Sequence, residues 1–439
     1  MKPNRLGARK WISFILAGLV GQLAWAIENN YLNLYVFDCS GNYAFIPAMT
    51  ALSAVAATIT TLLIGVLSDR IGKRKLFISI GYVIWGISII TFAFLDPKSN
   101  LTIVANNGFV AGCMIVFMDC MMTFFGSTAN DACFSASIND HTDTTNRGRV
   151  DSVLSVLPLF GLIIVTVVGG FFGISNTDGS PVHWDYFFYL FGGITLLIGI
   201  TCLFLYPKDV IEPNKNERYV FNIVYGFRPS VVKENVNLYL LYGCFMAFNI
   251  AVQCFMPYFM IYIQRGLGIQ GDTFTITLGL VLVVASIIAI VVGLFMDKIG
   301  RSKIIIPALA VMFVGCIIMT FVRDQIGVIF GGTILMSGYL CSTAIFASKI
   351  RDYEPKGRVG LFQGVRMVFV VMVPMIIGPY IGQAASLINP IYYEDPTYKI
   401  VSLQPNQYIF LFTGIILLFV SIPLFFLLRR ERQNGKTSQ

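Results

Sequence analysis

The sequence predicts an all-α membrane protein of twelve transmembrane helices in two pseudo-symmetric six-helix bundles. Three observations carry that prediction. Of 439 residues, 56% are hydrophobic and 12% charged, against roughly a quarter charged in an average soluble chain. The chain offers twelve apolar stretches, each near the roughly 20 residues that a hydrocarbon core of about 30 Å demands of a helix. Finally, a glycine-and-charge phrase occurs twice: Gly65-Val66-Leu67-Ser68-Asp69-Arg70-Ile71-Gly72-Lys73-Arg74-Lys75 returns as Gly293-Leu294-Phe295-Met296-Asp297-Lys298-Ile299-Gly300-Arg301-Ser302-Lys303.

Each element follows from where the apolar runs begin and end. In the first half, residues 1–206, spans fall near 11–37, 43–68, 76–95, 105–135, 150–173 and 185–206. The fourth is the least regular, because Asn106, Asn107, Asp119, Asn130 and Asp131 interrupt it. Ahead of the first, Lys2, Arg5, Arg9 and Lys10 lead into an apolar run ending in Ala24-Trp25-Ala26, a pattern that a cleaved signal peptide also shows. Cleavage would leave eleven spans and put both termini, or one of the repeated turns, on the wrong side, so the run is read as an uncleaved span. Residues 207–235 form a cytoplasmic connector broken by Pro207, Pro213 and Pro229. Its stretch from Tyr219 to Phe227 suits a segment lying on the membrane surface or a solvated linker. The second half, residues 236–428, has spans near 236–263, 273–296, 304–322, 327–349, 361–384 and 407–428, and residues 429–439 form a cytoplasmic tail.

The repeated phrase closes one span and opens the next in each half. A second echo makes the repeat a six-helix unit. Span four ends in Ala136-Ser137-Ile138-Asn139-Asp140 and leads to Asn146-Arg147-Gly148-Arg149, while span ten ends in Ala347-Ser348-Lys349-Ile350-Arg351-Asp352 and leads to Pro355-Lys356-Gly357-Arg358. Parallel repeats about an axis along the membrane normal are a transporter design, with solute bound near the midplane.

Loop charge sets the orientation. Placing the termini and every second loop on one side collects 26 of the 31 lysines and arginines, leaving Lys98, Arg265, Arg323 and Lys399 opposite and Arg366 inside span eleven. The basic side is cytoplasmic by the positive-inside rule. The net charge of +8 is therefore a topology signal and not a nucleic-acid footprint.

The intramembrane ionisable residues carry the functional reading. A charge at the bilayer centre costs about 3 kcal/mol even on lenient insertion scales, so such groups face a partner or a water-filled path. Glu28, Asp119 and Arg366 stand out. Trp25, Glu28 and Asn29 share a face at helical spacing, joining a ring, an acid and an amide that suit the apolar face and the hydroxyls of a sugar. Glu28 is the first candidate coupling site and Asp119 the second, because a carboxyl poised between burial and polar partners can bind and release a proton; a structural hydrogen bond is the plainer alternative for Glu28. Arg366 is either a counter-ion, a ligand for a substrate oxygen, or a side chain snorkelling to the cytoplasm. Asp131, near the end of its span, reads as a helix-end or gating group. In span seven, Asn249 and Gln253 are four apart, with Tyr242, Phe245 and Met256 expected nearby; amides recognise hydroxyls as donor and acceptor, though they also hold helices together. Pro257, Pro374 and Pro379 are expected to kink their helices.

Nine cysteines make no disulfide framework, since all but Cys39 fall inside predicted spans. With only His141 and His183 and no CxxC pair, no metal site or cofactor is expected. No nucleophile-base-acid set or phosphate loop is visible, so the chain is not expected to be an enzyme.

On these residues the chain resembles the major facilitator superfamily, whose signature between spans two and three is matched by Gly65, Asp69, Arg70, Gly72, Lys73, Arg74 and Lys75, and in the second copy by Gly293, Asp297, Lys298, Gly300 and Arg301. The resemblance implies that Asp69 and Asp297 latch the cytoplasmic side against helix N-termini, Asp69 at the start of span eleven near Gly360 and Asp297 at the start of span five near Arg149. Arg70, Lys298, Asp140, Asp352 and Arg358 complete the candidate gating set, while Arg74 and Lys75 are read as serving topology. The runs Gly126-Ser127-Thr128-Ala129-Asn130-Asp131-Ala132, Asn146-Arg147-Gly148-Arg149, Arg351-Asp352-Tyr353-Glu354-Pro355 and Gly360-Leu361-Phe362-Gln363-Gly364-Val365-Arg366 are similar to sugar:cation symporters of the glycoside-pentoside-hexuronide type and to sucrose carriers. Span two lacks the aspartate pair of a sodium-coupled melibiose-type carrier, since Ala51 to Thr61 holds no acid. Gly169-Gly170 lacks the preceding Gly-Pro typical of drug-proton antiporters.

The expectation is a monomeric, alternating-access secondary transporter of the cell membrane, with both termini cytoplasmic, taking up a sugar or related polyhydroxylated solute with H+ in preference to Na+. Its partners are a small-molecule solute and the lipid bilayer. Export of amphipathic drugs or lipids, and solute sensing without transport, are the alternatives.

Overall fold

The computed structural model describes residues 6–97, 102–104, 107–142, 146, 150, 153–154, 156–174, 182–210, 225–354, 359–394 and 401–437. Among them eleven helices are long and apolar enough to cross a membrane, and a further apolar helix is shorter. The chain is a multi-pass membrane protein. It divides into two compact units, Met1–Tyr219 with Glu394–Ser402, and Val220–Tyr393 with Leu403–Gln439.

The first unit holds α1 (Ala8–Ser40), α2 (Phe45–Ile71), α3 (Arg74–Phe94), α4 (Gly108–His141), the shorter α5 (Leu157–Phe171) and α6 (Trp184–Leu205). The second holds α7 (Val236–Gly266), α8 (Gly271–Ile299), α9 (Arg301–Phe321), α10 (Gln325–Tyr353), α11 (359–386) and α12 (Tyr408–Thr437). Of the connector, a turn at Tyr225–Phe227 and a short helix Pro229–Glu234 are described. β1 (Ile391–Glu394) and β2 (Val401–Gln404) form a two-stranded sheet between α11 and α12, in a loop for which no strand was expected.

Several helices outrun the apolar stretches that mark them. α4 reaches His141 where the hydropathy reading stops at 135, α10 reaches Tyr353 instead of 349, and α12 continues to Thr437. Hydropathy marks the membrane-embedded length, whereas the backbone ladder continues through polar residues, Asn139 to His141 in α4, Arg351 and Asp352 in α10, and Arg429 to Gln433 in α12. Cys39 likewise lies inside α1, so it is buried with most of the other free thiols.

Among the described residues four helices carry π-helical turns, in which the chain widens to i→i+5 hydrogen bonding: Ile27–Tyr31 in α1, Ser127–Phe134 in α4, Tyr262–Gly266 in α7 and Val368–Met372 in α11. Such turns are rare and concentrate at functional sites. In the second unit, α7 and α11 meet closely at Gly378, where an added Cβ would stand 2.5 Å from the Cβ of Gln253. Beside it Tyr258 donates to the Pro379 carbonyl at 2.6 Å, tying α7 to α11.

Candidate functional site

The π-turn of α1 turns Glu28 into the interior of the first unit, where the side chain is 6% exposed. Its Oε1 accepts from Ser53 Oγ of α2 and Thr123 Oγ1 of α4, each at 2.8 Å. The two hydroxyls are themselves 2.8 Å apart, and Thr123 Oγ1 also lies 2.8 Å from the Asp119 carbonyl oxygen. Asp119 is 2% exposed and interacts with the Ser53 hydroxyl and with the charge of Glu28. The two predicted coupling carboxyls thus share one cradle. Glu28 Oε2 and Asp119 Oδ1 are buried without a hydrogen-bond partner among the described residues, and no cation among those residues is paired with either.

That arrangement can switch a proton. Each hydroxyl carries one hydrogen. An ionised Glu28 draws both of them, whereas a protonated Glu28 can donate and release Thr123 to the Asp119 carbonyl one turn earlier in α4. Binding and loss of a single proton would therefore change which of α1, α2 and α4 are tied together.

Asp131 belongs near this cluster and not at a helix end. Because α4 continues to His141, Asp131 stands ten residues from its terminus, inside the π segment. Its carboxylate accepts from Ser127 Oγ at 3.1 Å and Asn130 Nδ2 at 3.2 Å, and its charge reaches Glu28. The shared face expected for Trp25, Glu28 and Asn29 is broken by the widened turn: Glu28 is buried, while Asn29 is exposed and donates to the Trp25 carbonyl at 2.9 Å. Trp25 is half-buried against Trp85, ring centroids 5.1 Å apart, and Trp85 stacks in turn on Tyr82. Gly126 admits Trp85 just before the α4 π segment, since a Cβ there would stand 2.7 Å from its ring.

In the second unit Asn249 and Gln253 lie half-buried on one stripe of α7 with Met256, and Asn249 Nδ2 has no partner among the described residues. Tyr242 and Phe245 fall on the buried stripe instead. Tyr242 donates to Glu354 at 3.3 Å, and Phe245 stacks on Phe346 at 5.2 Å. Arg366, half-buried in α11, acts electrostatically on Glu354 and Tyr242. Burial raises the Glu354 carboxyl above its usual range, against the lowering effect of Arg366 and of the Tyr242 hydrogen bond.

The repeated turns are more than topology markers. Arg74, 6% exposed, bonds both Asp69 and Asp140, binding the α2–α3 turn to the end of α4. Lys75 donates its backbone N–H to Asp209 and its ammonium to the Tyr206 carbonyl, each at 2.9 Å. In the second unit Arg301 bonds Asp352 in a more exposed pair. Arg70 is exposed. Arg149 and Arg358 lie outside the described residues, as do the side chains of Asp297 and Lys298. Ser53, Thr123, Arg74 and Glu354 are the site residues that sequence reasoning missed.

The sequence profile of the Major Facilitator Superfamily matches residues 11–379 and 241–439. No curated protein sequence matches the chain. Among solved structures, the nucleoside transporter NupG superposes with a TM-score of 0.69 at 12% identity, covering 95% of this chain and 99% of that one. The xylose transporter XylE from E. coli, in a partially occluded inward-open conformation, gives a TM-score of 0.67 at 14% identity over 94% and 96% of the two chains. A D-xylose-proton symporter gives 0.66 at 16% identity over 94% and 97%. At these identities the likeness is one of fold.

Proposed function

The chain belongs to the Major Facilitator Superfamily and is a membrane transporter; on that premise we propose that it carries a sugar or related polyhydroxylated solute into the cell, coupled to protons, by alternating access. The observation that carries this reading is the Glu28–Ser53–Thr123–Asp119 cluster: two buried carboxyls and two hydroxyls with no paired cation among the described residues. A proton neutralises such a group at the smallest cost in space, and it leaves again when the cluster is opened to water.

Trp25 and Asn29 in the first half, and Asn249, Gln253 and Arg366 in the second, are the proposed solute contacts. A half-exposed ring suits the apolar face of a sugar, and amides suit its hydroxyls. Folds shared with a xylose symporter and a nucleoside transporter support a polyhydroxylated solute. Asp69, Arg70, Asp140, Asp297, Lys298, Asp131, Arg149, Asp352 and Arg358 are proposed to gate access. The cytoplasmic placement of the termini and of the repeated turns rests on the excess of lysine and arginine on that side.

Uptake of labelled D-xylose, D-glucose, melibiose and uridine into proteoliposomes under an imposed proton or sodium gradient tests the proposal. Accumulation of at least one of them under the proton gradient, with sodium ineffective, is expected. Absence of accumulation for the whole panel, or accumulation driven by sodium alone, would overturn it.

A further inference from the structure

We propose that a groove between α9 and α12 is a binding site for an anionic phospholipid, with an acyl chain along its apolar wall and the headgroup phosphate held by Lys303 and Arg429. The groove, about 980 Å³, is lined by Ile306, Leu309 and Phe313 of α9 and by Leu417, Leu424 and Phe425 of α12, with Arg429 at one end. Ile306, Leu418 and Phe425 at its edge are more than half exposed, as expected of a surface that acyl chains cover. Pro307 and Pro423 lie within the stretches that form it, and each interrupts the helix ladder where the two helices leave room. Beyond the groove the helices touch where Gly414 faces Phe313 and Cys316. At the basic end Ser302 Oγ donates to Glu431 Oε2 at 2.8 Å. The groove is therefore a bounded window and not a continuous seam.

Charge selects the occupant. Lys303 precedes Ile306 by one turn and shares its face with Ala310 and Phe313, which places it at the same end as Arg429. Both side chains are exposed, and neither makes an ion pair among the described residues. The acid at that end, Glu431, is already bound by Lys349 Nζ at 2.7 Å, by Tyr353 at 2.6 Å and by Ser302. Arg301 is likewise occupied by Asp352. Two uncompensated cations over an apolar groove match a phosphate carrying net negative charge, and basic pockets between membrane helices recognise such headgroups.

Native mass spectrometry of the full chain in detergent, titrated with phosphatidylglycerol and with phosphatidylcholine of the same acyl composition, tests this. Retention of one phosphatidylglycerol roughly thirtyfold better than phosphatidylcholine is expected, from about 1 kcal/mol for each of the two basic residues. Lys303→Gln combined with Arg429→Gln, both at exposed positions, should bring the two lipids level without shifting the melting temperature. Equal retention by the native chain, or a preference unchanged in the double variant, would overturn the proposal. Ser421→Trp, which fills the groove, should displace both lipids, and retention unchanged in that variant would place the lipid elsewhere.

Discussion

In the first half, Glu28, Asp119 and Asp131 stand inside membrane-spanning helices with hydroxyls and an amide as partners. In the second, the buried or half-buried acids Glu354 and Glu431 stand at helix ends, beside Arg366 and bonded to Lys349 respectively. The helix plan is shared but the charge chemistry is not. Glu431, bonded to Lys349, is already neutralised and serves as a tie; an acid against hydroxyls can be neutralised only by something that arrives. The proposed proton load therefore falls on the first half, while Asn249 and Gln253 on α7 offer neutral polar contacts in the second.

The largest expected effect breaks this contrast at its source. Glu28→Gln should abolish proton-driven accumulation, by about a hundredfold or more, while solute exchange between equilibrated compartments persists, because the amide keeps the contact to Ser53 and Thr123 but holds no exchangeable proton. Accumulation and counterflow measured on the same proteoliposomes separate the two. Thr123→Val comes next. Removing the hydroxyl shared by Glu28, Ser53 and the Asp119 carbonyl should lower accumulation about tenfold, in keeping with roughly 1.5 kcal/mol for a hydrogen bond to a charged group.

On the solute side, Asn249→Ala or Gln253→Ala should raise the apparent KM about five- to tenfold, the loss of roughly one hydrogen bond, with proton coupling intact. Loss of coupling in either variant would erase the contrast between the halves. The two turns sharpen the same comparison through stability. Arg74→Ala removes a buried cation from two carboxylates and should destabilise the protein by a few kcal/mol, whereas Arg301→Ala opens an exposed pair and should cost less than about 1 kcal/mol; thermal unfolding in detergent reads both.

The smallest effect concerns pH. Burial raises Glu354 above 4.5 in the folded chain, so the folded state favours its protonated form. Its stability contribution is present at low pH and is lost as pH rises from the ordinary carboxylate range through the raised value. A melting temperature that falls over that window, and falls less in Glu354→Gln, is expected.

Much of this was legible before any coordinates. Twelve apolar runs mark the spans, and Glu28 and Asp119 stand out because acids are expensive in the bilayer. The π-turns were not legible, since a change from i→i+4 to i→i+5 leaves no trace in hydropathy. The turn in α1 separates Glu28 from Asn29, and Asp131 sits deeper than its place in the chain suggests because α4 continues to His141. Ser53 and Thr123 were missed because membrane hydroxyls commonly bond their own helix, as Thr50 does to Ile46. A signal for Ser53 existed: Thr50, Ser53, Ala54, Ala57, Thr58 and Thr61 form a small and hydroxylic stripe at helical spacing along α2, all buried. Arg74 was read as topology alone because loop charge counts ignore burial. The β1–β2 strands follow apolar and aromatic residues, Ile391-Tyr392-Tyr393, that a search for helices passes over.

The central claim is that carboxyls of the first half move a proton with the solute. Its most direct test is the external pH of a lightly buffered proteoliposome suspension, recorded on adding the sugar or nucleoside that the uptake panel identifies. Alkalinisation in step with solute uptake, absent in Glu28→Gln, is predicted. Solute uptake with no movement of protons in the native chain, or proton movement undiminished in Glu28→Gln, would contradict it.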